Sequence, residues 1–166
     1  MNAPGDFDFY SFVLFLHITS AVIAFGVTFA YPVIQMAIMR GDVRALPAWH
    51  TAEEAVGRKL ITPGAILVLL SGIYIALDRW DDVGGAWFSA AGVIVVVLLG
   101  LGHGFFVPQS RKLKAQAEAD LAAGAAERGQ MSAAYDAIGR RVAAVGMLSS
   151  LLVLLALLLM VWKPGA

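Results

Sequence analysis

The chain has 166 residues, 60% of them hydrophobic and 14% charged, with twelve Lys and Arg balanced by twelve Asp and Glu. A water-soluble domain of this size cannot hide so much apolar surface in one core, so the composition excludes an ordinary soluble fold and points to a membrane protein. Zero net charge gives no reason to expect nucleic acid as a partner, and the absence of cysteine removes disulfides, thiolate metal clusters and thiol chemistry.

Four segments contain no Lys, Arg, Asp or Glu: about 10–39, 61–77, 86–107 and 142–162. Each is close to the roughly 20 residues that cross about 30 Å of hydrocarbon as a helix. The second is short and is expected to borrow a turn from Arg58-Lys59-Leu60, whose long side chains can snorkel to the interface. The expected fold is all-α, a polytopic membrane four-helix bundle forming a single integral membrane domain over 1–166, with helical connections and the lipid bilayer as its first partner.

The first hydrophobic run is preceded by Asp6 and Asp8 instead of a basic leader, so it is expected to stay as an anchor. Within it, His17, Ser20, Ala24, Thr28, Tyr31 and Gln35 recur at steps of three or four and share one face, expected to look into the bundle. Small and polar groups there allow helices to approach and hydrogen-bond. The alternative is a polar cavity for a proton, an ion or a small ligand. In the connection that follows, His50 to Lys59 is expected to be a short helix leading into the second segment, with capping-box spacing between Thr51 and Glu54. His50 itself is expected to be an ordinary interfacial residue.

The second segment places Ser71, Tyr74 and Asp78 on one side, where they can face the first helix, and Asp81-Asp82 mark a loop beyond it. The third carries a stripe of Gly92, Val96, Gly100 and then His103 or Gly104, which permits close backbone contact or leaves room for a flat ligand. The connection 109–139 is rich in Ala, Glu, Lys and Arg and is expected to be helical, broken at Gly124 or Gly129. Its roughly thirty residues are not expected to bury a sizeable core. The fourth segment has a small-residue face at Ala143, Gly146, Ser149 and Ser150 and a Leu-rich end suited to lipid. Phe29-Ala-Tyr-Pro32 and Phe105-Phe-Val-Pro108 both precede a basic connection, which suggests two helical hairpins.

Of the twelve basic residues, ten lie in the connections between segments one and two and between three and four; only Arg79 and Lys163 lie on the other side. The positive-inside rule then puts both larger loops in the cytoplasm and both termini outside, as expected for a multi-pass protein of a bacterial inner membrane. Trp80, Trp87 and Trp162 fall at expected interfaces.

His17 and His103 are the candidates for chemistry, since an imidazole in a membrane segment can ligate haem iron, move a proton or make a structural hydrogen bond. Haem b is the candidate cofactor. Counted from the outer ends of their helices, the two histidines differ in depth by roughly 15 Å at about 1.5 Å per residue, too far to share one iron. No paired carboxylates, phosphate loop or nucleophile-base pattern is evident. Three functions stay open: a membrane protein whose activity these residues do not specify; a haem-binding redox or haem-metabolism protein using His17; and a small transporter or accessory subunit, with a second copy or a membrane complex as partner.

Leu16-His17 followed by Phe25-Gly26 and Phe29-Ala-Tyr-Pro32, with Thr62-Pro63-Gly64 and Ser71-Gly72-Ile-Tyr74 in the next helix, resembles a bacterial family of small four-helix predicted integral membrane proteins of unknown function. The resemblance covers most of the chain and implies the fold and a membrane location. More distantly, the Leu16-His17 and Phe25-Gly26 pattern is similar to the copper-resistance D membrane domain and to haem-biosynthetic membrane oxidases that use a first-helix histidine. That similarity implies His17 as the position for haem or metal. The chain lacks the additional histidines of a copper pathway.

Overall fold

The carboxylate of Asp8 accepts a hydrogen bond from the Ser11 N–H at 2.8 Å and so caps the first of four long helical rods. These are α1 (Phe9–Arg40), α2 (Val43–Asp78), α3 (Ala86–Ala122) and α4 (Ala133–Trp162), in a computed structural model that describes residues 8–78 and 85–164. Asp6, Arg79, Trp80 and Asp81-Asp82 lie outside the described residues, among which there is no β-strand. All four rods are long and apolar enough to cross a membrane. At about 1.5 Å per residue they measure roughly 45–55 Å, against about 30 Å of hydrocarbon; α1 coincides with its charge-free segment, α2 and α4 begin well before theirs, and α3 runs well beyond its own.

The extra length begins and ends at recognisable caps. Asp42 accepts from the Arg44 N–H at 3.0 Å to start α2, and Ser132 accepts from the Tyr135 N–H at 3.2 Å to start α4. Between α3 and α4, both Gly124 and Gly129 take positive φ, +82° and +64°, on either side of the single turn Ala125–Arg128. The capping box expected at Thr51 is not formed. Because α2 already begins at Val43, Thr51 lies inside it and donates its hydroxyl to the Pro47 carbonyl at 2.8 Å.

Besides Pro47 in the first turns of α2, where a proline is tolerated, three prolines sit deeper inside rods without ending them. A proline lacks the N–H and clashes with the carbonyl four residues earlier. Each rod changes its winding just before the ring: α1 tightens to a 3-10 turn over Val27–Phe29 ahead of Pro32, while α2 and α3 widen to π turns over Gly57–Ile61 and Gly102–Phe106 ahead of Pro63 and Pro108. The backbone N–H groups of Thr62 and Val107 reach five residues back, to Gly57 and Gly102 respectively.

Rods adjacent in sequence make the principal contacts, α1 with α2, α2 with α3 and α3 with α4. The α1–α2 seam is the tightest. Val13, His17, Ser20 and Ala24 form a buried ridge at steps of four and three, and Gly64 of α2 meets it so closely that a Cβ there would lie 2.7 Å from the Cβ of Ala24. By contrast, nothing crowds Gly92, Gly100 or Gly104, so the glycine stripe of α3 makes no close helix contact within the chain. Trp87 is buried, with the Lys163 ammonium 5.9 Å from its ring centroid.

At the basic end the overrunning rods build a small core of Val43, Leu46, Leu113, Ala117, Ala125, Met131 and Tyr135. The connection 109–139 was not expected to bury a core because it is too short alone. It does so here because α2, through Val43 and Leu46, and the end of α1, through Ile38 and Met39, pack against it.

Replacing Gly64 by Val is expected to force α1 and α2 apart and to cost about 1–3 kcal/mol as an overpacked contact. The check is thermal unfolding in mild detergent, with Gly100→Val, at an uncrowded site, as the control that leaves the transition in place.

Candidate functional site

His17 lies in the tight seam and is 9% exposed, while Ser71 of α2 is 6% exposed. The His17 Nδ1 is 2.9 Å from the Ser71 Oγ. Ser71 has one hydroxyl proton, and its oxygen also contacts the carbonyls of Leu67 and, at 3.3 Å, Val68, which can only accept. The proton therefore goes to α2's own backbone, and His17 Nδ1–H donates to Ser71. In the neutral ring this leaves Nε2 with a free lone pair. Gly72 makes room for the ring, since a Cβ there would stand 3.2 Å from the His17 Cε1.

His103 is held by the same device at another level. Its Nε2 is 3.2 Å from the Thr62 Oγ1, and that hydroxyl donates to the Gly57 carbonyl at 2.8 Å across the π turn. Ser71 and Thr62 are nine residues apart on one rod, about 14 Å along its axis. The two histidines are thus placed at separate levels of α2, and His103 is exposed where His17 is buried.

The polar stripe of α1 does not line one cavity. Ser20 is buried in the seam, and Thr28 folds back to donate to the Phe25 carbonyl at 2.6 Å. Tyr74 packs edge-on against Phe9 with centroids 5.4 Å apart. Tyr31 packs edge-on against Trp49 at 5.5 Å; its hydroxyl and the Trp49 indole N–H are buried without a hydrogen-bond partner. Gln35, farther along α1, hydrogen-bonds the Tyr135 side chain.

Tyr135 belongs to a network that the sequence did not disclose. His50 is not an interfacial residue: it is 1% exposed, with Nδ1 2.6 Å from the Glu53 carboxylate and Nε2 2.8 Å from the Tyr135 hydroxyl. The carboxylate only accepts when ionised, so Nδ1 carries the proton that orients the ring. Burial pushes the Tyr135 hydroxyl up to about 12, so it stays protonated and can donate to His50 Nε2. Glu53, His50, Tyr135 and Gln35 join α2, α4 and α1 through buried polar contacts. The i, i+3 spacing of His50 and Glu53 was the one signal in the sequence; Tyr135, 85 residues away, left none.

Outside this network, Arg111 of α3 donates through Nε and Nη2 to one Glu54 oxygen at 3.1 and 2.7 Å, and Arg58 stands 3.7 Å from it. The hydrogen bonds from Arg111, with the nearby positive charges, hold the Glu54 carboxyl below its usual range. The pair is solvent-exposed and contributes geometry more than stability.

Removing the Tyr135 hydroxyl in Tyr135→Phe leaves a buried ring nitrogen of His50 unpaired and is expected to cost about 1–3 kcal/mol. The same unfolding measurement on Thr62→Ala, whose bond to His103 is exposed, is expected to show a much smaller loss.

The architecture defines an all-α, multi-pass integral membrane protein, with two imidazoles fixed at different depths by hydroxyls of one helix. A family model described as "Predicted integral membrane protein (DUF2269)" matches residues 11–164, and the chain belongs to that family. No curated protein and no solved structure matches it.

Proposed function

We infer that His17 is the working residue of this membrane protein and that its Nε2 would hold the iron of a single-histidine haem b site. One observation carries the reading: the hydrogen bond from Nδ1 to Ser71 fixes the ring and leaves the opposite nitrogen as the lone-pair donor. Metal-bound histidines are commonly oriented in this way, by a second partner on the other ring nitrogen. The donor set suits a macrocycle better than a bare ion. Among the described residues no group of three or more His, Asp or Glu could hold a metal ion, whereas a porphyrin brings four nitrogens and asks the protein for one. His103, about 14 Å away along α2, does not supply a second ligand to the same iron. When bound, such a group supplies one-electron chemistry. The chain's own part is to orient the imidazole through Ser71, to admit it beside Gly72 and to keep it away from the charged end.

The charge asymmetry supports a cytoplasmic position for the packed basic end and, with it, an inner-membrane location. Because the chain has no cysteine, a single Lys114→Cys substitution gives a unique label. It is expected to react with an impermeant maleimide only after cells are opened; reaction in intact cells would invert the topology.

For the site, protein purified in mild detergent from haem-replete cells is expected to carry a stoichiometric Soret band that His17→Ala abolishes and His103→Ala retains. Ser71→Ala, which removes only the orienting partner, is expected to weaken retention by about 10–100-fold. A colourless protein, or loss of colour in the His103 variant alone, would reject the assignment and leave His17 as a seam hydrogen bond.

A further inference from the structure

Where α1 and α4 emerge at the basic end they leave a cleft of about 270 Å³ between them. Its two walls are helix faces. Asp136, Gly139, Arg140 and Ala143 follow one another at i, i+3, i+4 and i+7 on α4, and Gln35 and Met39 face them from α1, with Tyr135 beside Asp136. Gly139 and Ala143 keep the cleft open: nothing lies within 4 Å of a Cβ built at Gly139.

Its two charges are among those the described residues leave without an ion pair. Asp136 and Arg140 stand at i and i+4, in the order that favours an ion pair on a helix. Yet neither forms an ion pair with the other or with any described residue, although Arg44, Arg58 and Arg111 all find carboxylates nearby. A carboxylate and a guanidinium that share a cleft without pairing offer one site for a cation and another for an anion. Their order along α4 matters. Arg140 is next to the charge-free segment that begins at Val142, and Asp136 lies one turn, about 6 Å, farther from the hydrocarbon. A phospholipid headgroup with a terminal amine has the same polarity, its phosphate close to the acyl region and its ammonium outside it.

We propose that this cleft binds the headgroup of an aminophospholipid, with the phosphate on Arg140 and the primary ammonium on Asp136. The guanidinium forms charge-assisted hydrogen bonds to phosphate oxygens, and the carboxylate accepts from the ammonium. The Gln35 amide is a polar neighbour in the opposite wall. Gly139 and Ala143 leave space for the glycerol linkage, and Met39 supplies apolar contact. The site is independent of His17 and stands whether or not that residue ligates haem.

The test is native mass spectrometry of the full-length protein in detergent, offered equal phosphatidylethanolamine, phosphatidylglycerol and phosphatidylcholine. Phosphatidylethanolamine is expected to be retained over both others, since phosphatidylglycerol lacks the ammonium and the choline cation has no N–H to donate. Arg140→Gln is expected to lower its retention about tenfold, the loss of one charge-assisted contact. Asp136→Asn is expected to abolish the preference over phosphatidylglycerol while phospholipid is still bound. Gly139→Leu fills the cleft without altering charge and is expected to displace the lipid. Asp136 and Arg140 are exposed, so their replacement leaves the packed core intact. Unchanged retention in Arg140→Gln and Gly139→Leu would overturn the site. A phosphatidylglycerol preference unaffected by Asp136→Asn would overturn the amine assignment, and displacement of the lipid by millimolar inorganic phosphate would make it a soluble-anion site instead.

Discussion

Hydrocarbon offers no partner to a backbone N–H or C=O, and that constraint decides how this chain uses its prolines. In water a proline in mid-helix commonly coincides with a break whose freed groups are hydrated. Here Pro32, Pro63 and Pro108 lie within rods that continue on both sides, and the mismatch is absorbed by local rewinding. Because the rods are not interrupted, they carry their register from the apolar segments into the charged end. The same rods that cross the bilayer then assemble the core around Leu46, Leu113 and Tyr135. A break at Pro63 would separate α2's share of that core from the seam that positions His17.

Of the four rods, α2 carries the connections. Its Ser71 orients His17 of α1, its Thr62 meets His103 of α3, and its His50 meets Tyr135 of α4. Two of these contacts share one logic: a hydroxyl donates to its own helix backbone and is left able to accept from an imidazole. A Ser or Thr bonded in this way keeps its polar group satisfied in lipid even if the histidine moves away. His17 is tied to the same rod, by Ser71 at Nδ1 and by the Val68 backbone beside it. The stability of the pair and its proton placement are therefore set from the α2 side.

Much of the architecture was legible because the signal was large. Charge-free runs of about twenty residues locate membrane helices almost regardless of detail. Their ends at the basic side were less legible, since charged but strongly helix-forming sequence such as Arg111 to Ala122 extends a helix without extending its hydropathy. Gly124 and Gly129 were readable as a break because positive φ has few tenants. Thr51 misled because capping-box spacing also occurs inside helices, and Asp42 had already supplied the start. At the site, the face carrying His17 and Ser20 was visible as a period, but its pairing with Ser71 depends on the register between two helices. Tyr135 was beyond reach for a stronger reason: it is an aromatic residue in an alanine-rich stretch, and nothing local distinguishes one that completes a buried histidine.

The two histidine environments differ in what they ask of the ring. At His50 both nitrogens are engaged, by a carboxylate on one side and a phenol on the other, so the imidazole is fully used in holding helices together. At His17 one nitrogen is engaged and the ring is nearly as confined, beside Gly72 in the closest seam of the molecule. A histidine needed only for packing in that position has a simpler substitute, since an apolar side chain of similar size needs no buried hydrogen bond and carries no desolvation cost. Retaining an imidazole with one nitrogen tied and the other carrying a lone pair is chemically sensible where that lone pair has a use. That contrast, within one chain and between two buried rings, separates an imidazole engaged through both nitrogens from one that is hydrogen-bonded through Nδ1.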